Sequence, residues 1–107
     1  METDFVKIVV FVPEVYADAL RVAVAEAGAG QFGNYKNVSF SSKGIGRFEP
    51  MEGANPAVGV IGETEAIQEE RIEMICQKNK LKGVISKIKE AHPYEEPVFD
   101  IYPLLKI

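Results

Sequence analysis

Residues 5–12 read FVKIVVFV, and this octapeptide constrains the fold more than any other stretch of the chain. A run of β-branched and aromatic side chains, broken only by Lys7, favours an extended strand. In a strand, Val6, Ile8, Val10 and Val12 point to one side. Phe5, Val9 and Phe11 point to the other, interrupted only by Lys7. A strand apolar on both sides belongs in a sheet with cover on both faces. Pro13 follows directly and suits the first turn of a helix. Glu14 and Asp18 place negative charge where the helix dipole favours it. The spacing of Tyr16, Ala19, Leu20, Ala23, Val24 and Ala27 predicts one apolar helix stripe, ended by Gly28 and Gly30.

Further along, KNVSFSSK (36–43) alternates polar residues with Val38 and Phe40 and predicts a second strand, extending to about Phe48. Five of the nine glycines, with Pro50 and Pro56, lie between 44 and 62, so an ordered loop follows. EERIEMIC (69–76) alternates again, with Ile72, Met74 and Cys76 on one side. Residues 78–91 carry Leu81, Val84, Ile85, Ile88 and Ala91 at helical spacing. Pro93 disfavours helical geometry at His92, so the helix stops there. VFDIYPL (98–104) is the last strand. The order β-α-β-β-α-β is that of an α+β, ferredoxin-like split βαβ sandwich, with both helices on one face of the sheet. The other face must meet the long central loop or another subunit. At 107 residues, 1–107 reads as a single domain.

A net charge of −4 argues against nucleic acid as a partner, because phosphate binding needs concentrated Lys and Arg. The single cysteine excludes an internal disulfide and fits a reducing compartment. METDFVKIVVFVP has neither the basic start of a signal peptide nor the length of a membrane span. The expectation is a cytoplasmic protein without membrane contact.

Several motifs look chemical. GAGQFG (28–33) matches G-x-G-x-x-G, but a dinucleotide fingerprint needs a strand before it and a helix after it. Here the order is reversed, so Gly28, Gly30 and Gly33 read as a helix stop and turn, without NAD, FAD or ATP. GRFEPMEGANP (46–56) is a structural or ligand loop whose Arg47 is suited to an anion or a neighbouring carboxylate. Cys76, in an apolar alternating series, reads as an inert buried thiol. HPYEEP (92–97) offers an imidazole and two carboxylates, of which His92 and Glu95 are the weak metal candidates. Extended geometry would send Glu95 and Glu96 to opposite faces. The alternative is a rigid corner, held by Pro93 and Pro97, in which Tyr94 buries its ring and keeps its hydroxyl bonded. Glu95 and Glu96 are then left for solvent, for a salt bridge to Arg47 of the same or a neighbouring chain, or for a ligand.

GAGQFGNYKNVSFSSKGIGRFEP, GANPAVG and AHPYEEPVFDIYPL, taken together, resemble the PII-like, CutA-like domain inserted in bacterial YqfO-type proteins. HPYEEP is also similar to the His-Pro-Tyr segment of the trimeric CutA proteins. The resemblance implies a ferredoxin-like fold and a homotrimer. It also implies that the dinuclear metal ligands of the larger proteins lie in flanking halves outside this region. The expected function is a small cytoplasmic binding or regulatory module. Its inter-subunit clefts would be lined by Arg47, His92, Tyr94, Glu95 and Glu96 and would take a metabolite, anion or metal ion. The alternatives are an enzyme whose site is shared between subunits and a structural domain docked on a larger protein partner. No cofactor is identified.

Overall fold

The computed structural model describes residues 2–105, and the double-sided strand lies inside its sheet. This strand, β1 (Glu2–Pro13), pairs antiparallel with β3 (Glu65–Gln77) on one side and with β4 (Phe99–Leu105) on the other. β2 (Phe40–Phe48) pairs antiparallel with the outer edge of β3, so the order is β2-β3-β1-β4. Two helices, α1 (Glu14–Glu26) and α2 (Leu81–Ala91), complete the α+β ferredoxin-like fold. Glu2 at the start of β1 lies opposite Leu105 at the end of β4.

Val6, Ile8, Val10 and Val12 meet Ile72, Met74 and Cys76 of β3 on the helix side of the sheet. Leu20 and Val24 of α1 and Val84 and Ile88 of α2 close over them. Each fully buried Val, Leu or Ile contributes about 1.5–3 kcal/mol. The α1 stripe is rotated from the expected one. Ala17, Leu20 and Val24 are buried, whereas Tyr16 and Ala19 face water. No linker separates β1 from α1, so the strand's exit direction sets which side of the helix meets the sheet. Each residue turns the helix by about 100°, so a one-residue change of register moves Tyr16 outward.

β2 starts at Phe40 rather than residue 36, and β3 starts at Glu65 rather than 69. The early part of β3 is polar, but Phe48 opposite Glu65 and Arg47 opposite Ala66 extend the ladder through backbone bonds. The glycine motif closes α1. Gly28 at φ +107° donates to Ala25 O, and Ala29 N–H donates to Val24 O, the paired bonds of a Schellman cap. Gly30 donates to Ile75 O at 2.7 Å and so ties this turn to β3.

On the helix-free face, Val9 is fully enclosed, while Phe5, Lys7 and Phe11 are half-buried. Glu73 pairs with Lys7 at 3.9 Å and with Arg71 at 3.5 Å. The Arg71 guanidinium lies 5.5 Å from the Phe11 ring centroid. Phe40 and Tyr102, opposite Glu73 and Lys7 respectively, remain 65% and 45% exposed. Among the described residues no helix is long and apolar enough to cross a membrane.

Candidate functional site

Pro93 acts as expected: His92 leaves the helix with φ −80° and ψ 134°, after its N–H has closed the last turn on Ile88 O at 2.9 Å. The His92 ring, 5% exposed, turns back on the sheet. Its Nδ1 accepts the Tyr94 N–H at 3.1 Å, so Nε2 carries the proton and donates to Phe11 O at 2.7 Å. Burial pushes the His92 pKa below its ordinary value, against the opposing pulls of the Phe11 carbonyl and the Glu69 charge. Both ring nitrogens are therefore engaged within the fold.

The chain then bends at 94–96 rather than running extended. Tyr94 packs edge-on against Phe48, with centroids 5.3 Å apart at 61°, and beside His92 at 4.9 Å. Its hydroxyl donates to Glu69 Oε2 at 2.9 Å. Burial first, then this bond and the charges of Glu69 and Glu65, push the Tyr94 pKa well above its ordinary value. Glu69 is itself only 8% exposed. Its carboxylate occupies the space above Gly46 where any other residue would carry a Cβ. Glu95 Oε1 accepts the Asn55 N–H at 3.0 Å and so fastens this segment to the central loop. The loop is held in turn by Gly62 N–H on Pro50 O at 2.9 Å and by the Thr64 hydroxyl on Glu49 at 2.8 Å.

Between the loop, the ends of β1 to β3 and residues 94–98 runs a groove of about 960 Å³. Phe11, Phe48, Met51, Val58, Tyr94 and Val98 supply apolar walls. Arg47, Glu49, Glu52, Glu69, Glu95 and Glu96 supply the charges. The structure thus brings Arg47, Tyr94, Glu95 and Glu96 to one groove and leaves His92 behind it. Contrary to the extended geometry expected, both glutamates line the same groove, because the bend at 94–96 breaks the alternation. Arg47 forms no ion pair with Glu95 or Glu96 among the described residues. Strand alternation turns Arg47 away from the face on which Gly46 receives Glu69.

Glu69, Gly46 and Phe48 were not singled out by the sequence. The available signal was a glycine inside a strand, which often marks the close approach of another group. Cys76 is buried beside Val6 near the start of β1, whereas His92 binds Phe11 near its end, so the two are not neighbours. Burial raises the thiol pKa, against the lowering effect of Lys80. Among the described residues no three His, Cys, Asp or Glu side chains converge where a metal ion could sit.

No protein-family model matches the chain. A curated Bacillus subtilis protein named GTP cyclohydrolase 1 type 2 homolog is 45% identical over 98 residues, which cover 92% of this chain and 26% of that protein. A Mycobacterium tuberculosis protein of the same name is 42% identical over 102 residues, covering 95% of this chain and 27% of its own length. The crystal structure of a Bacillus cereus protein related to NIF3 superposes with a TM-score of 0.82 and 42% identity, over 97% of this chain and 26% of that one. The chain resembles one segment of these longer proteins. It spans about a quarter of the length of the curated relatives it matches. CutA1 from Shewanella sp. SIB1 superposes with a TM-score of 0.71 at 14% identity, over 99% of this chain and 86% of that one, a likeness of fold.

Proposed function

We propose that residues 1–107 form a cytoplasmic binding module that self-associates, most simply as a trimer, and takes a small ligand in the groove beside Tyr94. The groove itself carries this reading. A recess of about 960 Å³ with aromatic walls and an inward-facing carboxylate has the size and mixed lining of a ligand site. Assembly is supported by the exposed Phe40 and Tyr102 on the helix-free face and by the resemblance to trimeric CutA proteins. No hydrolase activity is carried over to this segment, because the resemblance places the metal ligands of the larger proteins in flanking halves outside it. The share of the longer relatives that it spans favours a second reading, a module serving catalytic parts carried elsewhere in such a chain. Native mass spectrometry of the protein purified from cells tests the proposal. The expected species has three times the 11.8 kDa chain mass and a retained small molecule. A ligand-free monomer at micromolar concentration would overturn it.

A further inference from the structure

We propose that the ligand of this groove is an aliphatic di- or polyammonium ion, whose terminal N–H groups bind the Glu69 carboxylate. The inference rests on the groove being the binding site proposed above. Three observations select this chemistry. The first is charge: Glu49, Glu52, Glu69, Glu95 and Glu96 outnumber the single arginine of the lining, an excess of negative charge that attracts cations and repels anions. The second is dispersion. A divalent metal ion requires oxygen ligands converging on one point, and no such cluster exists among the described residues. Carboxylates spread along apolar walls suit an extended cation with methylenes between its charges.

The third is Glu69. It is more than nine-tenths buried, and Oε2 is taken by the Tyr94 hydroxyl. Oε1, the oxygen nearest Gly46, has no hydrogen-bond partner among the described residues, yet the side chain lines the groove. A carboxylate oxygen left without a protein partner and open to the groove accepts a charged N–H donor. A primary ammonium supplies that donor, and its alkyl chain can lie along Phe48, Met51 and Val58. A quaternary ammonium offers the same charge without the N–H.

Isothermal titration of the full chain with spermidine tests this, with tetramethylammonium and an acetylated trilysine peptide as comparison probes. The expected result is one spermidine per chain, binding that weakens with added salt, and little heat from tetramethylammonium. Glu69→Gln should weaken binding about tenfold, the scale of one lost hydrogen bond to a charged group. Glu52→Gln, at an exposed rim position, should weaken it less and keeps the test informative if Glu69→Gln does not fold. Absence of heat at millimolar spermidine, equal affinity in folded Glu69→Gln, or equal binding of tetramethylammonium would overturn the proposal. A trilysine peptide binding far more tightly than spermidine would also overturn it, in favour of a basic protein segment. Light scattering on the same samples separates this inference from assembly. An assembled protein that ignores spermidine refutes the ligand class alone. A monomer that binds it supports the ligand class while refuting assembly, since every groove residue here comes from one chain.

Discussion

Replacing His92 with alanine removes two hydrogen bonds from a place that water barely reaches. The ring is 5% exposed and joins Phe11 O at 2.7 Å to the Tyr94 N–H at 3.1 Å. Truncation strands a backbone acceptor and a backbone donor, each costing about 1–3 kcal/mol where no water replaces the partner. Tyr94 is only half-buried, which discounts its share. The lost ring adds a void between α2 and β1. Together these give an expected loss of about 3 kcal/mol, a large part of the 5–15 kcal/mol typical of a folded domain. Urea unfolding followed by circular dichroism reads it. A loss below about 1 kcal/mol would refute the view that the imidazole pins the corner to the sheet. The same geometry fixes a pH dependence. Protonating Nδ1 would set an N–H against the Tyr94 N–H, and burial already holds the folded pKa below 6.5. The unfolded histidine takes up its proton near 6.5, whereas the folded one does so only at lower pH. The unfolded state therefore binds more protons in that window. The stability owed to neutral His92 is complete above pH 6.5 and is lost as pH falls toward the folded pKa, at no more than about 1.4 kcal/mol per pH unit. A His92→Gln protein should lack this slope, and identical slopes in the two proteins would refute the assignment.

Gly46→Ala should drive a Cβ into the Glu69 carboxylate and lower stability by about 1–3 kcal/mol in thermal melts, by displacing a buried group from its partner. Tyr94→Phe should destabilise by a similar amount, and adding Glu69→Leu should recover part of the loss, because removing both partners is less costly than stranding one. A double-mutant cycle measured by urea unfolding checks this, and strict additivity would count against the pair. Phe40→Glu on the helix-free face should leave the chain folded and shift sedimentation velocity toward the monomer.

The strands were legible where alternation was sharp. Val6, Ile8, Val10 and Val12 of β1, and Ile72, Met74 and Cys76 of β3, lie on the core face that period two assigned them. The start of β3 was hidden because its side chains are polar and only the β2 ladder extends it. The rotation of α1 was hidden because small alanines lie on both sides of the stripe, so composition did not choose between Tyr16 and Ala17. At the groove, the two prolines flagged residues 92–97 as a rigid segment, yet they carried no sign that the Tyr94 hydroxyl would seek Glu69. That partner is remote in sequence and becomes special only because Gly46, on another strand, leaves room for its carboxylate. Burial of a charge by a distant glycine is a tertiary effect that no local pattern encodes.

Because Glu2 faces Leu105 across neighbouring antiparallel strands, the two ends of the described chain stand only about 5 Å apart in backbone terms. A longer polypeptide could enter and leave this unit through one narrow doorway, so a surface loop of a host could open to receive it without being stretched. The same placement makes the seam mechanically soft. Tension between the two ends would load the β1–β4 pairs one after another, like a zip, instead of shearing the whole ladder at once.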